Sequence, residues 1–218
     1  MLKETRSHAR QETLISTICK KFINRVNGVS WQVEKGNSSI KFDLIKPILQ
    51  EHQVHSVLDI GCNSGMITRL AGEAGFFSVG VDQNVDFRGV ANPLGNACIG
   101  NIEINCEMVD KLPRFDATLL LSVHHQLVAG KGDDWTQKFI SRLASKTNKV
   151  FLIEFPALNS KYSATEDLLF IDNDEASVVS YAQSWLTHVL PGWSITYIGK
   201  APESEIEPFR FMFSCTPM

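Results

Sequence analysis

Val57-Leu58-Asp59-Ile60-Gly61-Cys62-Asn63-Ser64-Gly65, followed one helix-length later by Phe76-Phe77-Ser78-Val79-Gly80-Val81-Asp82, decides the fold of this chain. The first stretch is an apolar strand that breaks at glycine, and the second is an apolar strand that ends in an acid. A turn of this kind lets backbone approach a ligand closely, which accounts for glycine at 61 and 65. A carboxylate at the tip of the next strand can accept both hydroxyls of a ribose. The pattern is the front half of a nucleotide-binding α/β unit and implies a nucleoside-containing cofactor.

The turn narrows the choice of cofactor. A dinucleotide site wants Gly-x-Gly-x-x-Gly, so that the pyrophosphate sits on a helix N-terminus. Here Asp59 to Gly65 reads Asp-x-Gly-x-x-x-Gly, with no third glycine in that register. An acid just ahead of the first glycine repels a pyrophosphate but attracts an ammonium group, strongly so in a partly dehydrated cleft. S-adenosylmethionine carries such a group.

Residues 57 to 82 resemble motifs I and II of the class I S-adenosylmethionine-dependent methyltransferases, and the resemblance extends more weakly from about residue 40 to the C-terminus. The usual turn in that family is Gly-x-Gly-x-Gly. Asn63 stands where the middle glycine would be, and asparagine tolerates left-handed backbone better than most residues. The resemblance implies S-adenosylmethionine as cofactor and S-adenosylhomocysteine as product. It places Asp59 and Gly61 near the methionine portion, with Cys62, Asn63 and Gly65 completing the turn. Asp82, followed by Gln83, would hold the ribose, Asn101 and Ile102 would frame the adenine, and Ser122 would close the cofactor edge of the fourth strand.

A chain of 218 residues, 44% hydrophobic and 21% charged, is the size of one large domain and can bury a full core. The expectation is a single methyltransferase domain over 1–218, with a helical cap over 1–50 and a Rossmann-like core over 51–218. A formal net charge of −3 and a pI near 6.1 give no global electrostatic footprint for nucleic acid. The five cysteines, at 19, 62, 98, 106 and 215, contain no Cys-x-x-Cys pair, so neither a zinc site nor a disulfide scaffold is expected. A reducing cytoplasm suits that cysteine usage best. The charged N-terminus lacks the apolar core of a signal peptide, and no run approaches the length that crosses a bilayer.

From about Arg10 to Asn27 apolar residues recur with helical period, which predicts an amphipathic helix packed on the sheet edge or over the cofactor cleft, ended by Gly28. Ser38-Ser39 starts a second helix that carries Ile40, Phe42, Leu44, Ile45, Ile48 and Leu49 toward the first strand. Strands follow near 56 to 60, 76 to 81, 96 to 100, 115 to 122 and 149 to 155, with helices near 65 to 74, 103 to 110 and 133 to 146. The Gly-, Pro- and Asn-rich segment between 82 and 96 offers a short helix at best. After a helix from about Asp174 to Leu190, Trp193 to Ile198 and Phe209 to Cys215 read as two strands that pair antiparallel. The fold class is therefore α/β: a Rossmann-like, seven-stranded, mostly parallel sheet with an antiparallel last strand, plus N-terminal helices. By the resemblance, that last strand inserts between the fifth and sixth.

Ligands of open α/β sheets lie beyond the carboxyl ends of the strands, near the point where strand order reverses. The fourth strand delivers Ser122-Val123-His124-His125-Gln126 to that edge. Methyl transfer from a sulfonium needs alignment above all, and a base only where the acceptor carries a proton of high pKa. Histidine suits that task near neutral pH, so His124 or His125 is the candidate base, with a structural wall residue as the alternative. Glu154, at the end of the apolar run Val150 to Phe155, would orient a histidine or a substrate hydroxyl, or else form a salt bridge to Arg210. No metal is expected, because adjacent histidines do not readily chelate one ion from a regular backbone. Cys62 reads as a small apolar spacer and Trp135, after the helix-capping pair Asp133-Asp134, as core or rim.

The layout Lys41-Phe42-Asp43-Leu44-Ile45, the Ser-Val-His-His turn and the last-strand arginine are faintly similar to the transfer-RNA wobble-uridine modifying enzymes and to the bicoid-interacting RNA phosphate methyltransferases. The acidic balance favours O-methylation of a small-molecule or glycan-like acceptor, under a lid made by the N-terminal helix and Ala157 to Asn173. An RNA methyltransferase is the alternative, with a basic groove of Lys20, Lys21, Arg25, Lys41 and Lys46. A catalytically silent domain that binds cofactor or a partner is the third. No Asn-Pro-Pro-Tyr-like signature for amino-group methylation follows the fourth strand.

Overall fold

The computed structural model describes residues 38–85, 95–156, 175–202 and 209–218. The helix expected over 10–27, the lid segment and most of the segment between 82 and 96 lie outside the described residues. Helix α1 (Ser38–Glu51) leads into β1 (Ser56–Ile60), α2 (Met66–Glu73), β2 (Phe77–Asp82) and β3 (Ala97–Asn101). The second half runs α3 (Cys106–Lys111), β4 (Phe115–Leu120), α4 (His124–Lys131), α5 (Asp133–Ser145), β5 (Thr147–Pro156), α6 (Glu175–Val189), β6 (Trp193–Pro202) and β7 (Phe209–Pro217).

The seven strands form one sheet in the order β3-β2-β1-β4-β5-β7-β6. The first five are parallel, and β7 inserts antiparallel between β5 and β6, pairing Glu154 with Met212 and Tyr197 with Phe213. The expected architecture is therefore present. The chain winds outward from β1 to β3 and then restarts on the other side of β1 with β4. The carboxyl ends of β1 and β4 consequently send their loops to opposite faces, which opens a crevice between them.

Both faces of the sheet are covered, and period-two alternation sorts the side chains between them. On β5, Phe151, Ile153 and Phe155 join a core closed by Phe139 and Leu143 of α5 and Val178, Ala182 and Leu186 of α6. Val150 and Leu152 point the other way, to a core closed by Phe42, Ile45 and Leu49 of α1 and Ile67 and Ala71 of α2. Each such apolar side chain contributes about 1.5–3 kcal/mol when fully buried. Helix α1 departs from expectation at one point: Ile40 is 46% exposed, and Lys41 faces inward with only 6% exposure. None of the described helices is long and apolar enough to cross a membrane.

Helix α4 is absent from the sequence reading, because its residues carry little apolar periodicity and include Gly130. It turns His124 away from the crevice. The imidazole is fully buried against Phe155, at 4.2 Å between ring centroids, and edge-on to Trp185 at 4.8 Å. Neither ring nitrogen has a hydrogen-bond partner. Burial, with the neighbouring His125 adding to it, pulls its pKa down from 6.5 to about 3, so it stays neutral. Of the two readings of His124, base or structural wall residue, its place among these rings is that of the wall residue. His125 is likewise buried.

Because the folded pKa of His124 lies below the unfolded value, its contribution to stability is complete above pH 6.5 and is lost as the pH falls toward 3. By pH 5 the loss reaches about 2 kcal/mol. His124→Phe keeps the ring packing and removes the titration. Denaturant unfolding at pH 8 and pH 5 is expected to show the variant gaining about 2 kcal/mol on the wild type across that interval; an unchanged difference would count against the buried, neutral imidazole.

Candidate functional site

The β1–α2 turn is built by backbone hydrogen bonds to the neighbouring strand. Gly61 N donates to Val81 O at 2.8 Å, Cys62 N to the same oxygen at 3.2 Å, and Gly65 N to Cys62 O at 2.7 Å. Gly61, Asn63 and Gly65 are left-handed, with φ of 76°, 50° and 78°. Asn63 thus adopts the backbone that the usual glycine would. A Cβ on Gly61 would lie 2.2 Å from Val123 Cγ2, and one on Gly65 would lie 2.0 Å from Ile99 Cδ1. The space freed by these glycines is filled by side chains of the protein, so they seat the turn against the start of α4 and against β3.

Asp82 ties the same turn from the tip of β2. Its Oδ2 accepts from Asn63 N at 2.9 Å and its Oδ1 from Asn84 N at 2.7 Å. Each oxygen keeps acceptor capacity toward the crevice. Behind it, Ile102 N donates to Asp82 O at 2.8 Å. The Asn101 amide nitrogen reaches Gln83 O at 2.7 Å and Asp82 O at 3.0 Å. In this orientation of its amide, Asn101 links the end of β3 to the loop after β2.

The crevice between β1 and β4 is a cleft of about 530 Å³, within the range of small-molecule and cofactor sites. Of the residues singled out from sequence, Gly61, Asn63, Asp82, Gln83, Ile102 and Ser122 line it. Asp59, Cys62 and Gly65 are buried behind it, and the exposed Asn101 is not among its lining residues. Asp59 is 3% exposed and its Oδ2 accepts from Thr68 Oγ1 at 2.7 Å. Burial pushes its carboxyl up from 3.8 to about 6 against the Thr68 hydrogen bonds, with the Asp82 charge adding to the rise. This carboxylate lies beneath the turn, facing α2, and is not among the residues that line the cleft. Burial, helped by the charges of Asp59 and Asp82, raises the Cys62 thiol as well, which makes it a spacer and a poor nucleophile.

Ser122 stands at the end of β4 on the cleft wall, with φ of 56°. Its hydroxyl donates to Glu154 Oε1 at 2.9 Å and accepts from Lys41 Nζ at 3.1 Å. Lys41 Nζ lies 3.0 Å from Glu154 Oε2, and Arg210 Nε lies 3.5 Å from Glu154 Oε1. The Glu154–Arg210 pairing weighed from the sequence is present, with Lys41 joined to it. All three charged side chains are buried. Lys41 is thus removed from the basic groove expected of an RNA-binding surface, and Lys20, Lys21 and Arg25 lie outside the described residues.

Apart from Trp135, read as core or rim, sequence reasoning passed over the far wall. Val123, Leu127 and Lys131 recur at helical spacing along α4, and Glu103 to Asn105 follow β3. Trp135 and Phe139 stack at 5.1 Å on α5 and also reach the cleft. The one available signal was the i, i+4, i+8 spacing of Val123, Leu127 and Lys131. Asp133, expected as a cap, accepts from Trp185 Nε1 at 3.0 Å and so joins α5 to α6. Among the described residues no three His, Cys, Asp or Glu side chains gather as metal ligands.

No protein-family model and no curated protein matches the chain by sequence. Solved structures do match by shape. WbdD, described as a bifunctional kinase-methyltransferase, superimposes with a TM-score of 0.64 at 19% identity over 92% of this chain, which spans 41% of WbdD. Magnesium protoporphyrin IX methyltransferase (ChlM) from Synechocystis PCC 6803, solved with S-adenosylmethionine bound, gives 0.58 at 16% identity over 95% of this chain and 97% of that one. The methyltransferase domain of bacterial CtHen1 gives 0.56 at 18% identity over 83% and 100%. With strand order β3-β2-β1-β4-β5-β7-β6 and the glycine turn at the β1/β4 crevice, these likenesses show that the chain has the class I S-adenosylmethionine-dependent methyltransferase fold.

Proposed function

We propose that this chain binds S-adenosylmethionine in the β1/β4 cleft and transfers its methyl group to an oxygen of a small-molecule or glycan-like acceptor. The observation that carries the reading is Asp82: a carboxylate at the tip of β2, fixed by two backbone N–H groups and open to a cleft at the strand-order reversal. The residues present fit the group. Asp82 would take the ribose hydroxyls, Ile102 and Leu127 offer apolar walls for the base, and Gly61 and Asn63 offer backbone near the methionine portion. Asp59 acts from beneath, its charge favouring an ammonium across the turn.

S-adenosylmethionine supplies a methyl group on a sulfonium, activated for in-line displacement. What the chain supplies is alignment, exclusion of water and a fixed electrostatic frame. Neutral His124 takes no part in proton transfer. Three observations favour a small acceptor over RNA. The sequence carries a net charge of −3, and Lys41 is paired with Glu154 in the interior. ChlM, of nearly the same length, is by its name a methyltransferase of a small molecule.

Calorimetric titration with S-adenosylmethionine and S-adenosylhomocysteine is expected to give saturable binding by the wild type. Asp82→Ala is expected to bind at least tenfold more weakly, with about 1–3 kcal/mol of stability lost with the two backbone hydrogen bonds. A well-folded wild type that binds neither ligand at millimolar concentration would remove the proposal. Methyl transfer from labelled cofactor to a panel of hydroxylated small molecules, glycans and RNA then sorts the acceptor.

Asp59→Asn separates the charge from the hydrogen bond. Since the folded pKa of Asp59 is above the unfolded value of 3.8, its contribution to stability is full below pH 3.8 and is lost as the pH rises through about 6. Ionised at pH 8 it costs on the order of 3 kcal/mol. The variant is expected to be more stable than wild type at pH 8, to lose that advantage near pH 4, and to bind the cofactor at least tenfold more weakly at pH 8. A variant with unchanged affinity would assign Asp59 to the turn alone.

A further inference from the structure

Ser122 is one of three non-glycine residues with positive φ among the described residues, beside Gln53 and Asn63. Asparagine adopts left-handed backbone with little strain, whereas serine needs outside support to keep it. That support is visible. The Ser122 hydroxyl is held between Lys41 Nζ and Glu154 Oε1, and these two side chains, 8% and 0% exposed, pair with each other at 3.0 Å. Accepting from one and donating to the other fixes the side chain, and through it the backbone at 122.

The consequence reaches the cofactor turn in one residue. Val123 follows Ser122, and its Cγ2 occupies the place a Cβ of Gly61 would take. The Ser122 carbonyl accepts from Gln126 Nε2 at 2.8 Å, and Gln126 lines the cleft. Lys41 is otherwise costly where it stands. It shares the inner face of α1 with Phe42, Ile45 and Leu49, a place where an apolar side chain packs without desolvating a charge.

We infer that Lys41 is a positioning residue. Acting with Glu154 through the Ser122 hydroxyl, it holds the β4 terminus in its left-handed turn, and so sets Val123 against Gly61 and shapes the cofactor cleft. This inference rests on the cleft being the cofactor site, and it links α1 to ligand affinity.

The test is a suppressor experiment read by titration with S-adenosylmethionine and by denaturant unfolding. Lys41→Met is expected to weaken binding about tenfold, equivalent to about 1.4 kcal/mol. Adding Ser122→Gly is expected to restore most of the affinity without restoring stability, because glycine adopts left-handed backbone without a side-chain anchor. Should Lys41→Met not fold, the single substitutions decide: Ser122→Ala, which keeps the Cβ and loses the anchor, should bind about tenfold more weakly than Ser122→Gly. Lys41→Met with affinity within twofold of wild type, or equal affinities for the alanine and glycine variants, would overturn the inference. A ligand-free readout separates it from the cofactor assignment. The amide resonance of Gly61, which meets this segment through Val123 alone, should shift in Ser122→Ala and hold in Ser122→Gly even if the wild type binds no cofactor, and a Gly61 resonance unmoved by Ser122→Ala would again overturn it.

Discussion

Glu154 is the constraint on which the rest of this structure turns. It is a carboxylate buried near the end of the interior strand β5, and three segments far apart in the chain converge on it: Lys41 from α1, Ser122 from the end of β4 and Arg210 from β7. Taking such charges out of water costs several kcal/mol per ion, and mutual attraction offsets this only when the geometry is well met. The cluster is therefore weak evidence for stability and better evidence for arrangement. Both cations reach the one carboxylate when α1 is seated over the sheet and β7 is threaded between β5 and β6. The same arrangement fixes the β4 end on the wall of the cleft.

The glycine turn shows how two demands share one stretch of chain. Its left-handed residues and its bonds to Val81 bring it within contact distance of Val123 and Ile99, so the turn is part of the packed interior on one side and part of the cleft on the other. Asp82 joins the two sides by fixing the turn with the same carboxylate that it presents to the cleft. Asp59 lies beneath the same turn, where burial pushes its carboxyl up to about 6, a cost to the fold that an asparagine would relieve.

Much of this was legible in the sequence. Strand β1 was read to the residue and the other strands to within a few residues of their ends, and the insertion of β7 followed from the resemblance carried by the glycine turn. Period-two alternation along β4 and β5 and helical period along α1 and α5 are local signals that survive folding. Lys41, Asp59 and His124 are polar residues whose sequence neighbours gave no sign that a partner or an aromatic cage lay waiting. Lys41 meets a serine 81 residues away, and His124 meets rings on β5 and α6. Helix α4 was missed because its residues pack partly against the cleft and so show no single apolar stripe.

By itself, then, the sequence determined the layers, the strand boundaries, the left-handed turn and the acid at the tip of β2, since each depends on the periodicity or backbone preference of a few consecutive residues. Only the tertiary structure decided which polar side chains face the cleft and which are sealed behind it. That choice depends on burial and on charge partners brought together from distant parts of the chain, and no local pattern encodes either.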